Sequence, residues 1–70
     1  MLTQNKARVI IKKLKKEYGF TYTYIAQIIE ISKSHLSLFL DEKRDLGRNK
    51  IEKLERLLNT IFEGSFNFND

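Results

Sequence analysis

The residues best suited to chemistry lie close together in the chain: Lys33, Ser34, His35, Ser37 and Leu38, directly after Ser32. At about 100° per residue they wrap a single helix whose inward side is Leu36, Phe39 and Leu40. Ser34, Ser37 and Leu38 point the other way, with Lys33 and His35 on the flanks. An ordinary solvent face carries Glu, Lys and Arg; this one carries mostly short, uncharged hydrogen-bonding groups. A helix that must lie against a crowded surface is built in this manner.

Catalysis finds little support in the same inventory. An enzyme needs a nucleophile, an acid/base pair or a metal constellation. His35 is the single histidine, there is no cysteine, and no acidic residue is spaced from His35 to suggest a relay. No zinc pattern, glycine-rich phosphate loop or paired-carboxylate motif is present. The sequence implies neither an enzyme nor a metal, cofactor or small-molecule substrate.

The elements that must position this face can be read outward from it. Ser32 is a good N-cap for the helix over 33–40. Before it, Ile25, Ile28 and Ile29 give a helix over about 21–29 an apolar face, and Ala26 lets a second helix cross closely. Thr21 caps that helix. Upstream, Ala7, Ile10, Ile11, Leu14 and Tyr18 recur at helical spacing over about 4–18, with Thr3 as cap and Gly19 as terminator. Phe20 falls where a post-helix apolar residue packs back. Asp41 to Leu46 is a charged loop with Leu46 turned inward. A last helix runs from about 48 to 59 or beyond, with Gly47 at its N-cap and Ile51, Leu54, Leu57, Leu58 and Ile61 inward. Arg48 and Lys50 oppose the positive start of that helix, a mildly unfavourable placement that a nearby external phosphate would relieve. From Ser65 to Asp70 apolar and polar residues alternate, which suits a short strand or a hook laid across a partner. The other reading folds Phe66 and Phe68 back on this chain's own core. The expected architecture is an all-α, compact bundle of four to five helices in one domain spanning 1–70, its tail extended.

Seventy residues make one small domain, which buries only about 60% of its unfolded surface. Self-association would be a natural supplement. Without cysteine, neither a disulfide nor a thiolate metal site contributes; a reducing compartment is compatible. No apolar run approaches the roughly 20 residues a membrane span needs, and the N-terminus lacks a signal-peptide pattern. The net charge is +4, unevenly spread. Residues 1–16 hold six basic side chains (Lys6, Arg8, Lys12, Lys13, Lys15, Lys16) and no acidic one. Lys33, Lys43, Arg44 and Arg48 continue the positive balance, whereas from Asn49 onward three basic residues face four acidic ones. Phosphate attraction is one reason for such a distribution; a solvated face that aids solubility is the other.

The run Phe20-Thr21, Ile25-Ala26, Ile31-Ser32, Leu36-Ser37 and Phe39 resembles the helix-turn-helix of the phage repressor and Cro class of DNA-binding proteins, the lambda-repressor-like family. The following run Phe39 to Leu46, and then the helix bearing Ile51, Leu54 and Leu57/Leu58, is similar to what comes next in that family. The matches cover roughly residues 5–58. Two positions depart from the pattern. Glu30 stands where the family usually has a turn glycine, at a cost on the order of 1 kcal/mol and with a looser turn expected. Tyr22 replaces the glutamine that commonly opens the first helix of the pair.

The resemblance implies a function. The second helix of the pair enters the major groove, where each base pair shows its own donor and acceptor pattern, while the first crosses the backbone. It puts Lys33, Ser34, Ser37 and Leu38 at base edges, with His35 beside them. Lys33 suits guanine O6 and N7, each serine donates or accepts, and Leu38 suits a thymine methyl. Thr21, Tyr22, Ser32, Lys43, Arg44 and Arg48 are the implied backbone contacts, which fix register without reading sequence. The implied protein is a small phage or mobile-element repressor in the bacterial cytoplasm, binding a palindromic operator as a homodimer. Phe62, Phe66 and Phe68 are the candidate dimerisation residues, in a tail over 60–70. From a different class, the same core also fits a protein-interaction module, an antitoxin or accessory regulator that does not itself read DNA. A membrane-surface helix is a third reading.

Overall fold

The structure is a computed structural model that describes residues 1–62. Four helices follow one another: α1 (Gln4–Tyr18), α2 (Tyr22–Ile29), α3 (Lys33–Leu40) and α4 (Arg48–Phe62). The described chain is all-helical, a small bundle with no strand. Three of the starts are closed by the hydroxyls foreseen for them. Thr3 accepts from the Lys6 amide, Thr21 from the Tyr24 amide and Ser32 from the His35 amide, each supplying one of the acceptors that a helix start lacks. Gly19 ends α1 with φ 77°, and the amides of Gly19 and Phe20 both turn back to the Leu14 carbonyl.

The core is drawn from all four helices. Ile11 and Leu14 of α1, Ile25 and Ile29 of α2, Leu36 and Phe39 of α3, and Ile51, Leu54 and Leu58 of α4 are fully enclosed. Burying a side chain of this size contributes about 1.5–3 kcal/mol. Ala7 and Ala26 are buried as well, and Leu46 folds inward as its loop requires.

Two core expectations are corrected, at Ile28 and Tyr18, and two features are added that the sequence left open, the burial of Leu2 and the end of α4. Ile28 is not a core residue; it is 38% exposed and borders a shallow groove with Leu57 and Thr60 of α4, while Ile25, Ala26 and Ile29 are buried. Tyr18 is exposed, its ring meeting Phe62 edge-on at 5.3 Å between centroids. Leu2, ahead of the first helix, is buried, and its amide donates to a Glu55 carboxylate oxygen at 2.7 Å. Helix α4 continues past 59 to Phe62. The tail expectations for Phe66 and Phe68 lie outside the described residues.

Candidate nucleic-acid interface

Between α2 and α3 stand only Glu30, Ile31 and Ser32, so α2 fixes the direction of α3. Glu30 adopts the left-handed conformation itself, φ 60° and ψ 50°, and its amide caps α2 on the Ala26 and Gln27 carbonyls. The turn is therefore closed rather than loosened by the missing glycine. Helix α4 secures it: Lys53 Nζ hydrogen-bonds the Glu30 carboxylate, and Lys50 Nζ donates to the Glu30 carbonyl at 3.0 Å. The hydrogen bond and charge of Lys53 hold the Glu30 carboxyl below the ordinary carboxylate value of 4.5.

Held in this way, α3 turns Leu36 and Phe39 into the core and leaves Ser34, Ser37 and Leu38 on the surface, Leu38 being 40% exposed. An apolar side chain between two serines on an open helix face is the arrangement that the wheel predicted. The flanks differ from each other. Lys33 faces α1, where a cleft of about 300 Å³ is lined by Lys12, Tyr22, Lys33, Ser37 and Asp41 over the apolar floor of Leu36 and Leu40. His35 faces the other way and is half-buried, its Nε2 lying 3.4 Å from the Asp45 carbonyl oxygen. Of the residues assigned to DNA from sequence, Tyr22, Lys33 and Ser37 thus share one cleft, whereas His35 borders the α3–α4 loop.

The remaining candidates are surface groups. Thr21 and Ser32 are exposed, and each already accepts a cap hydrogen bond at 3.0 Å, which leaves its hydroxyl proton to donate elsewhere. Tyr22 is half-buried and takes the Lys15 ammonium over its ring at 5.3 Å from the centroid. Lys43 and Arg44 are exposed on the loop, where the Lys43 amide donates to the Leu38 carbonyl at 2.9 Å. Arg48, in the first turn of α4, pairs loosely with Glu52 at 3.6 Å, both side chains open to solvent.

That loop is anchored from α1 by Gln4, which the sequence reading did not single out, and by Arg8, which it counted only among the basic charges. Gln4 closes a reciprocal pair with Leu46, donating to its carbonyl and accepting from its amide, each at 2.9 Å. One turn along, Arg8 is only 8% exposed. Its Nε donates to the Phe39 carbonyl at 2.6 Å, and its two terminal nitrogens reach Asn5 Oδ1, the Arg44 carbonyl and Asp45 Oδ1 at 3.0, 3.3 and 3.0 Å. The guanidinium also lies over the Phe39 ring at 4.5 Å. Arg8 is therefore withdrawn from the basic surface to which its charge had assigned it. The signal was there in part: Gln4 and Arg8 stand i and i+4 beside the apolar row of Ala7 and Ile11.

Comparison with known proteins gives no matching family model, no matching curated relative and no matching solved structure. Among the described residues no group of His, Cys, Asp and Glu is arranged to hold a metal ion. None of the described helices is long and apolar enough to cross a membrane.

Proposed function

We propose that this chain is a sequence-specific double-stranded DNA-binding regulator of the small phage or mobile-element repressor type, bound as a dimer to a two-fold operator in the bacterial cytoplasm. The reading gives it no catalytic role and no cofactor. One observation carries it. Ser34, Ser37 and Leu38 form an open, narrow, uncharged face on a short helix whose direction is fixed at both ends. An α-helix of that kind fits the major groove, and hydroxyls and an apolar side chain match base-edge donors, acceptors and the thymine methyl. Lys43, Arg44 and Arg48, exposed on the connection out of α3 and at the start of α4, then supply phosphate attraction. One module makes few contacts, so two copies about one helical turn apart are required for tight binding.

Selection of bound duplexes from random DNA tests the reading. It predicts enrichment of a palindrome with half-sites about 10 base pairs apart; recovery of unenriched sequence would reject specific readout. A second reading has its own observation. Tyr24 and Ile28 of α2, both exposed, line a shallow groove with Leu57 and Thr60 of α4. A protein-interaction module would dock its partner there, and its nucleic-acid binding would show little dependence on salt.

A further inference from the structure

We propose that the cleft between α1 and α3 seats one backbone phosphate of the duplex, with Lys12 and Lys33 as its cationic walls. Helix α1 then takes part in binding, and Lys33 anchors the helix rather than reading a base. The proposal rests on the DNA-binding reading and assigns a place within it.

Arg8, Lys12 and Lys15 stand at i, i+4 and i+7, so α1 carries a basic stripe along one face. Each member is placed by a different neighbour. Arg8 is spent on the loop after α3, and Lys15 lies over the Tyr22 ring. Lys12, between them, lines the cleft opposite Lys33. Lys13 pairs with Glu17 at 3.9 Å and Arg48 with Glu52 at 3.6 Å, whereas Lys15, Lys16, Lys43, Arg44 and Arg56 have no carboxylate within 4 Å among the described residues and do not line this cleft. Neither Lys12 nor Lys33 has a carboxylate partner among the described residues. Two unpaired ammonium groups from separate helices thus border one hollow, an arrangement whose repulsion an anion between them reverses.

The hollow has the size and chemistry for that anion. About 300 Å³ equals the liquid volume of roughly ten waters, room for a tetrahedral phosphate with part of its hydration. The Tyr22 and Ser37 hydroxyls line it and can donate. An ammonium serves a phosphate as a point charge and reads a base less well than a planar fork does. Lys33 also stands on the flank of α3, in the cleft toward α1 that Ser37 shares and that Ser34 and Leu38 do not line. Asp41 lines the same cleft and opposes an anion there, which supplies a variant of opposite sign.

The test measures affinity against salt for the full chain on its selected duplex and on one-base variants of that duplex. Both lysines are exposed, and thermal melting of each variant confirms that it folds. Lys12→Ala and Lys33→Ala are each expected to reduce the slope of log affinity against log salt, and the double variant to reduce it by about 0.9, the share of the one phosphate they seat. Each should weaken all duplexes by the same factor, while Asp41→Asn tightens them all. An unchanged slope and affinity in Lys12→Ala overturns the proposal even though the wild type binds. So does a Lys33→Ala variant whose preference among one-base variants changes at constant slope, which would return Lys33 to base readout. Inorganic phosphate serves as the small-anion probe. Saturation of the Lys12 and Lys33 resonances at millimolar phosphate with no competition against DNA would identify a free-anion site and overturn the assignment to the backbone. A wild type that binds no duplex in a salt-dependent way defeats the underlying reading as well.

Discussion

Glu30 before α3 and Glu42 after it share a left-handed backbone, φ 60° and φ 62°, where glycine is the usual occupant. The two connections are nevertheless secured by different helices. At the first, the glutamate itself is the attachment, gripped through its carboxylate and carbonyl by Lys53 and Lys50 of α4. At the second, the Glu42 side chain makes no hydrogen bond or ion pair among the described residues. The loop is held instead by Gln4 and Arg8 of α1. A strained turn can thus be stabilised either by its own strained residue or by neighbours that ignore that residue. Between the two attachments α3 has little freedom to tilt.

The difference can be broken first at Arg8. Arg8→Met keeps the volume but strands the Phe39 and Arg44 carbonyls, so unfolding should become easier by about 2–3 kcal/mol in denaturant titration. Asp45→Asn should cost less than about 1 kcal/mol, because Asp45 is 72% exposed and its half of the pair is screened. Equal losses in the two variants would mean that the ion pair, and not the carbonyl contacts, holds the loop.

Exchange of the two glutamates for glycine sharpens the contrast. Glu42→Gly removes backbone strain without losing a side-chain contact, and should raise stability by about 0.5–1 kcal/mol. Glu30→Gly relieves the same strain but also deletes the link to Lys53, so its gain should be smaller in the same titration. A larger gain at Glu30 would show that the link contributes nothing.

The smallest effect concerns pH. The Glu30 carboxyl is held below 4.5 by Lys53, so its contribution is complete above that value and is lost as pH falls through the lowered one. Melting of the wild type and of Glu30→Gln should differ at neutral pH and converge in acid. A gap that persists unchanged to strongly acidic pH would remove the charge from the account of this turn.

Where sequence and structure agree, the signals are local. Thr3, Thr21, Ser32 and Gly19 mark helix ends because their partners are three to five residues away. The outward Ser34, Ser37 and Leu38 follow from the period of one helix. Where they part, the deciding neighbour is distant. Ile28 and Ile29 both satisfy a helical stripe over two turns, and only the assembly of the whole bundle buries one and exposes the other. Arg8 looks like a surface charge until carbonyls 31 and 36 residues later arrive beside it. Glu30 departs from the glycine pattern, and nothing near it in sequence announces Lys50 and Lys53, 20 and 23 residues on. The α1–α3 cleft is likewise tertiary: the spacing of Lys12 and Lys33 in the chain does not foretell that they meet at one hollow.

The central claim, that the open face of α3 meets DNA, is tested most directly by titrating the selected duplex into labelled full-length protein and following backbone amide resonances. The account predicts the largest shifts at Ser34, Ser37 and Leu38, with Arg56 and Thr60 on the α2–α4 groove unmoved. Shifts concentrated at Tyr24, Ile28 and Thr60, with α3 silent, would contradict it.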